Sequence, residues 1–219
     1  MINMDSIKNS KLIKSPFRYA VIANCLHQNA ANKLFSDLPK ENNYRSLRET
    51  GSDKTYNVVN NLLLKLGDAN AHERNHLTPC WLDLTNQLQT GEYISSLSQL
   101  LEEDLSSCHL EITLKRYGYD DYISTHTDKE QVRATHMIFL NPTWDEQWGG
   151  QLCFKYDEHI IFKKFLPISA HSVAFVRATN SWHAVEKIVK PDIERIAVQV
   201  AFWNKTNREV LPGRVEEIV

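Results

Sequence analysis

With 219 residues, 42% of them apolar and 24% charged, the chain is long enough to bury one sizeable core and does not require a second domain. A formal charge of −2 without a long lysine or arginine run excludes a broad basic field for nucleic acid, and no apolar stretch is long enough to span a bilayer. The four cysteines, Cys25, Cys80, Cys108 and Cys153, lie far apart with no Cys-x-x-Cys pair, which argues against a disulfide framework or a thiolate zinc site and for a cytoplasmic protein.

Met1 to Ser15 is polar with scattered lysines, lacks the apolar run of a signal peptide and reads as a mobile start. Phe17, Tyr19 and Val21 then alternate with Arg18, Ala20 and Ile22 as in a strand, and Ala30, Leu34 and Leu38 recur at helical spacing. From Glu41 to His76 the sequence is polar and rich in Asn and Asp, interrupted by the apolar run Val58 to Leu66, and reads as loops around one short element. Thr78 and Pro79 make an N-cap and first-turn pair for a helix carrying Trp81, Leu84 and Leu88, which ends at Thr90-Gly91. A second helix follows, with Ile94, Leu97, Leu101 and Leu105 as its buried stripe.

Beyond Ser107 the pattern changes to strands: His109 to Tyr117, Arg133 to Leu140, Gln151 to Tyr156, Ser172 to Arg177 and Glu194 to Trp203. Helices followed by strands argue for an α+β fold, with helices over one face of a largely antiparallel sheet. In the first of these strands Leu110, Ile112 and Leu114 share a face, opposite Thr113, Lys115 and Tyr117. In the last, Ile196, Val198, Val200 and Phe202 oppose Arg195, Ala197, Gln199 and Trp203. The oily faces should meet helices or a second sheet, and the mixed faces should line a polar cavity.

Three residues stand out as metal ligands. His126 and Asp128 are two apart at the end of a turn-rich stretch, where extended side chains project the same way, and His183 follows in Ser-Trp-His-Ala-Val. Alone, the first pair is an exposed loop and the last residue a structural histidine beside Trp182. Together, two imidazoles and a carboxylate suit ferrous iron and leave three adjacent positions open, room for a bidentate 2-oxo acid and dioxygen. Arg195 adds meaning to the set, because a guanidinium on the mixed face is costly without an anion and pairs well with a carboxylate. Its alternative is a surface ion pair with Glu194. Ala197 leaves room for such a ligand, and Tyr117 offers a phenolic hydrogen bond from the opposite wall.

From about Leu110 to Trp203 the chain resembles the iron(II)- and 2-oxoglutarate-dependent dioxygenases, in the branch related to prolyl 4-hydroxylases. The matching pieces are Arg116-Tyr117-Gly118 through Tyr122 to His126-Thr127-Asp128, Ile138-Phe139-Leu140-Asn141, Trp148-Gly149-Gly150-Gln151-Leu152, Val173-Ala174-Phe175, Trp182-His183-Ala184-Val185, and Arg195 in the last strand. The resemblance implies a double-stranded β-helix (jelly-roll) core with N-terminal helices packed on one sheet. It implies Fe(2+) held by His126, Asp128 and His183, and 2-oxoglutarate held by Arg195 with help from Tyr117. Dioxygen would be the second cosubstrate and ascorbate an optional accessory. Ala197 is a departure, because many relatives carry there a serine or threonine that also contacts the cosubstrate carboxylate. One domain over 1–219 is expected, with a mobile 1–15, a helical support region over 16–106 and the jelly-roll core over 107–205.

A hydroxylase of an aliphatic carbon is the preferred reading. Its substrate is read as a small molecule, a free amino acid or an amino-acid unit in biosynthesis, with no nucleic-acid or membrane partner; the alternatives are a peptidyl-prolyl hydroxylase and a non-catalytic metal-binding jelly-roll sensor. Halogenation is disfavoured because Asp128 occupies the position a halide needs. A zinc hydrolase is disfavoured because no general base stands near the His-x-Asp pair, and a structural metal usually has four protein ligands. His136 and His171 read as structural or surface histidines. Trp144 and Trp148 read as core packing or a cover over substrate, Lys115 as solvent-exposed unless it meets an anion, and Glu102-Glu103-Asp104 as a solvated helix end.

Overall fold

Successive side chains of a strand point to opposite faces, and this chain uses both faces to build two cores. The computed structural model describes residues 1–40, 44–50, 54–64, 77–169 and 171–205. The described strands are β1 (Leu12–Ile13), β2 (Tyr19–Ala23), β3 (Arg45–Thr50), β4 (Thr55–Leu64), β5 (His109–Tyr117), β6 (Tyr122–His126), β7 (Val132–Phe139), β8 (Leu152–Lys155), β9 (Ile161–Phe165), β10 (His171–Val176), β11 (His183–Val185) and β12 (Arg195–Trp203). They hydrogen-bond in the order β1-β2-β10-β7-β12-β5-β4-β6-β11-β8-β9, with β3 on β4, and every pairing between these strands is antiparallel.

The sheet curls at β4, which pairs with both β5 and β6. Side chains then meet across the fold. Tyr19, Val173, Phe175, Met137, Phe139, Ala197 and Tyr117 from one half share a core with Ile123, Leu152, Phe154, Phe165 and Val185 from the other. This facing of two antiparallel layers is a jelly-roll-like arrangement. The alternate residues Ala174, Val176, Ile138, Ile196, Val198, Val200 and Phe202 belong to a second core on the outer face of the larger half, together with Ile112 and Leu114.

Helices complete that second core. They are α1 (Met4–Asn9), α2 (Gln28–Ser36), α3 (Pro79–Gln87) and α4 (Gly91–Leu101). Thr78 is the N-cap of α3 with Pro79 in its first turn; Thr90 caps α4 by accepting from the Tyr93 amide, and α4 ends at Glu102 in the left-handed conformation. Trp81, Leu84, Leu88, Tyr93, Leu97 and Leu101 are fully buried, each large apolar side chain contributing about 1.5–3 kcal/mol.

Two stretches differ from the sequence reading. Residues 1–15, expected to be mobile, begin with α1, capped by the Asn3 side chain, with Ile7 fully buried and the Ile2 amide donating to Gln87. Only a few apolar residues do this anchoring, too few for a periodic signal. Within 16–106, expected to be helical support, β3 and β4 form an antiparallel hairpin where loops around one element were expected. Its Asn57, Asn60 and Asn61 resist a strand reading by propensity, but pairing with β5 and β6 overrides it. The part of the Glu41 to His76 reading at 41–43, 51–53 and 65–76 lies outside the described residues.

Candidate metal and anion site

Strand pairing brings the two imidazoles together. His126 ends β6, His183 opens β11, and the two are direct partners in the antiparallel register, so their side chains share a face. Their ring centroids are 4.2 Å apart. Nδ1 of His126 lies 2.8 Å from the Ser124 carbonyl oxygen, and Nδ1 of His183 lies 3.0 Å from that of Ser181. A carbonyl only accepts, so each hydrogen is on Nδ1 and each Nε2 keeps its lone pair for a cation.

Asp128 completes the group. Its Oδ1 lies 3.9 Å from Nε2 of His126 and 3.7 Å from Nε2 of His183, and one ligand atom from each of the three residues falls within 4.8 Å of the others. Its Oδ2 accepts from Thr135 Oγ1 at 2.8 Å. Among the described residues no other His, Cys, Asp or Glu belongs to this group. Burial, the neighbouring His183 and Lys54 hold the His126 imidazole well below its ordinary pKa, against the pull of Asp128. Burial also lowers His183. Burial pushes the Asp128 carboxyl up, but His183, His126, Lys54 and Thr135 outweigh it and keep it below the usual carboxylate value. At neutral pH the set is therefore two neutral imidazoles and one carboxylate, the protonation states that bind a divalent metal. The donor chemistry fits iron(II).

Arg195 opens β12 directly opposite Tyr117 of β5 and is 0% exposed. Its Nε donates to the Gly150 carbonyl at 2.7 Å, and its guanidinium carbon stands 4.7 Å from the centroid of the Tyr117 ring and 5.5 Å from that of Phe139. Nη1 and Nη2 are buried and have no hydrogen-bond partner among the described residues. Burial lowers the guanidinium's pKa from its ordinary value, but the group stays charged. Two idle charged donors in a dry site call for an anion with two oxygens, and a carboxylate matches. The surface pair with Glu194 does not form, because that carboxylate is held by Arg116 at 2.6–3.1 Å.

Gly149 and Gly150 aim the carbonyl at Arg195. Both have positive φ, +73° and +70°, and a Cβ on Gly149 would lie 2.0 Å from the Lys187 carbonyl oxygen. Ala197, next along the mixed face of β12, is fully buried and faces Lys115 on one side and Phe139 on the other.

The remaining candidates are distributed otherwise. Lys115, read as solvent-exposed, is only 8% exposed on the inner face of β5. His136 is a buried structural histidine between Tyr93 Oη and Ser172 Oγ, each at 2.8 Å. Its burial lowers its pKa to about 3. His171 packs edge-on to Phe139. Trp144 packs in the inner core, with Nε1 donating to the Gly149 carbonyl at 2.8 Å. It lines a cavity of about 470 Å³ with Trp148, Asp145 and Leu166 that none of His126, Asp128, His183 and Arg195 reaches. Glu103, read as part of a solvated helix end, is half-buried and accepts from both Arg18 and Arg133. Sequence reasoning did not single out Thr135, the Ser124 and Ser181 carbonyls, or Lys54. A lone hydroxyl in a strand and a backbone oxygen carry no pattern, and the Gly149-Gly150 pair was the one visible trace of the Arg195 support.

A jelly-roll-like fold thus encloses a two-histidine, one-carboxylate donor group and a buried guanidinium whose two terminal nitrogens have no partner among the described residues. Residues 112–203 match the family model of the 2OG-Fe(II) oxygenase superfamily. Over 138 residues the chain is 28% identical to the prolyl 3-hydroxylase OGFOD1 of Mus musculus, a stretch covering 55% of this chain and 25% of the mouse protein. The chain thus spans about a quarter of that relative. Two solved structures share the fold. A Pseudomonas putida prolyl-4-hydroxylase superposes with a TM-score of 0.59 at 16% identity, covering 93% of this chain and 97% of its own. A Trichoplax adhaerens prolyl hydroxylase, in complex with a hypoxia inducible factor oxygen degradation domain peptide fragment, gives 0.55 at 17% identity, covering 85% and 83%.

Proposed function

We propose that the protein is an iron(II)- and 2-oxoglutarate-dependent hydroxylase acting on a prolyl residue within a peptide or protein. The observation that carries the reaction class is the pairing of the His126, Asp128 and His183 donors with an Arg195 whose terminal nitrogens are buried and unpartnered. In this reading the three donors hold iron(II), and Arg195 receives the distal carboxylate of 2-oxoglutarate while Tyr117 packs against the guanidinium. Iron bound there supplies the oxidative chemistry: substrate C–H, 2-oxoglutarate and dioxygen become hydroxylated substrate, succinate and carbon dioxide. The chain's part is orientation and exclusion of water. Ser124 and Ser181 fix the imidazoles, Gly150 fixes the arginine, and the rings of Phe175, Tyr117 and Phe139 pack against His183 and Arg195.

The same arrangement disfavours a non-catalytic metal sensor, which has no use for a buried cation of this kind. For substrate, sequence alone favours a free amino acid, whereas the prolyl 3-hydroxylase and prolyl-4-hydroxylase relatives support the peptidyl reading. The deciding experiment incubates iron-loaded protein with 2-oxoglutarate and dioxygen against proline-containing peptides and free amino acids, measuring succinate and the mass of the organic product. Peptide-dependent succinate with one oxygen added to proline is expected. Turnover with free amino acids alone overturns the peptidyl assignment.

A further inference from the structure

We propose that Thr135 is a positioning residue for the metal, binding one oxygen of Asp128 so that the other is presented for single-point ligation and three coordination positions stay open. This rests on the iron reading above. His126 and His183 sit on the paired strands β6 and β11, but Asp128 follows the end of β6 and belongs to no strand. Its restraints come from the opposite half of the fold. Thr135 Oγ1, on β7, donates to Oδ2 at 2.8 Å, and Arg177 Nε, just past β10, donates to the Asp128 carbonyl at 3.2 Å. These two supports are themselves tied together, because β7 and β10 pair with Thr135 opposite Phe175 and the Arg177 amide donates to the Arg133 carbonyl at 3.0 Å.

Thr135 is well suited to the task. It is 2% exposed, it stands in register between Phe175 of β10 and Ala201 of β12, and a β-branched side chain has restricted χ1. Its hydroxyl therefore has one place to point. A carboxylate without such a partner can turn and offer both oxygens to a cation, and every position it takes is lost to the cosubstrates. Hydrogen bonds to ligating carboxylates typically matter about 10–100-fold in metal affinity.

The test uses cobalt(II) as probe, followed by its visible absorption, on the full chain. Thr135→Val, which keeps the shape and removes the hydroxyl, should bind cobalt about 10–100-fold more weakly with an altered absorption band; Thr135→Ser should restore affinity and band. If the valine variant does not fold, Thr135→Ala set against Thr135→Ser makes the same comparison, since the two differ only by the hydroxyl. Wild-type affinity and spectrum in the variant lacking the hydroxyl overturns the proposal while leaving the iron reading intact. Failure of the wild-type protein to bind cobalt overturns the iron reading itself.

Discussion

Replacing Arg195 by methionine should weaken cosubstrate binding and leave the ligand-free protein no less stable. Nη1 and Nη2 are the donors available to a carboxylate, and hydrogen bonds to charged groups are worth about 1.5–3 kcal/mol each. Two of them amount to at least about 3 kcal/mol, more than about 100-fold in affinity. Stability should move the other way. The variant loses the Nε bond to Gly150 and the contact with the Tyr117 ring, but it also removes a buried charge without an anionic partner, whose desolvation opposes folding. The assay is anaerobic titration of the iron-loaded proteins with 2-oxoglutarate, alongside thermal unfolding with and without it. Wild type should gain a ligand-dependent rise in Tm that the variant lacks. Equal 2-oxoglutarate affinity in both proteins refutes the anchoring argument.

The acid sensitivity of the fold should trace in large part to His136. Its folded pKa of about 3 lies below the unfolded value of 6.5, so the unfolded chain binds the extra proton. The stability this neutral imidazole contributes is complete above about pH 6.5 and is lost as pH falls towards 3. At about 1.4 kcal/mol per unit, the loss at pH 4.5 is about 3 kcal/mol. Urea unfolding of His136→Gln should show a correspondingly shallower decline between pH 7 and 4.5, and parallel profiles for the two proteins would contradict this. Gly149→Ala should destabilise by at least about 1–3 kcal/mol, since φ +73° and ψ −152° suit glycine alone and its Cβ would collide with the Lys187 carbonyl. Unchanged urea stability would refute the constraint.

Legibility in the sequence follows how many residues repeat a signal. In β5 and β12 alternate aliphatic residues mark the outer face, and the helices α3 and α4 combine caps with apolar stripes, so all four read directly. Strands β9 and β11 are short or half-exposed, and Ile161–Phe165 buries only Phe165, leaving no alternation to read. The β3–β4 hairpin is specified by its neighbours more than by its own residues. At the site, His126, Asp128, His183 and Arg195 were visible because their side-chain chemistry is uncommon in combination. Lys115 was misread because exposure is the usual state of a lysine, and strand phase alone does not reveal the depth of the cavity wall. The supporting carbonyls of Ser124, Ser181 and Gly150 are backbone atoms, which only the folded chain can assign.

The two faces of the larger sheet half divide the work. Its outer face, with the helices, is mostly aliphatic, and its buried His136 bonds on both nitrogens. The inner face carries Tyr19, Tyr117, Phe139 and Phe175 together with Thr135, Lys115 and a fully buried Arg195. Desolvating such groups opposes folding, so the outer core must supply the margin that lets the inner one hold them. Period-2 alternation makes this economical, because Ala174 and Val176 can pack outward while Phe175 between them forms the wall against His183 at 4.9 Å. A one-residue slip in β12 would exchange its faces and turn Arg195 into the aliphatic core. The long register of β12 with β5, from Arg195 opposite Tyr117 to Trp203 opposite His109, therefore sets the place of the buried guanidinium as firmly as it sets the fold.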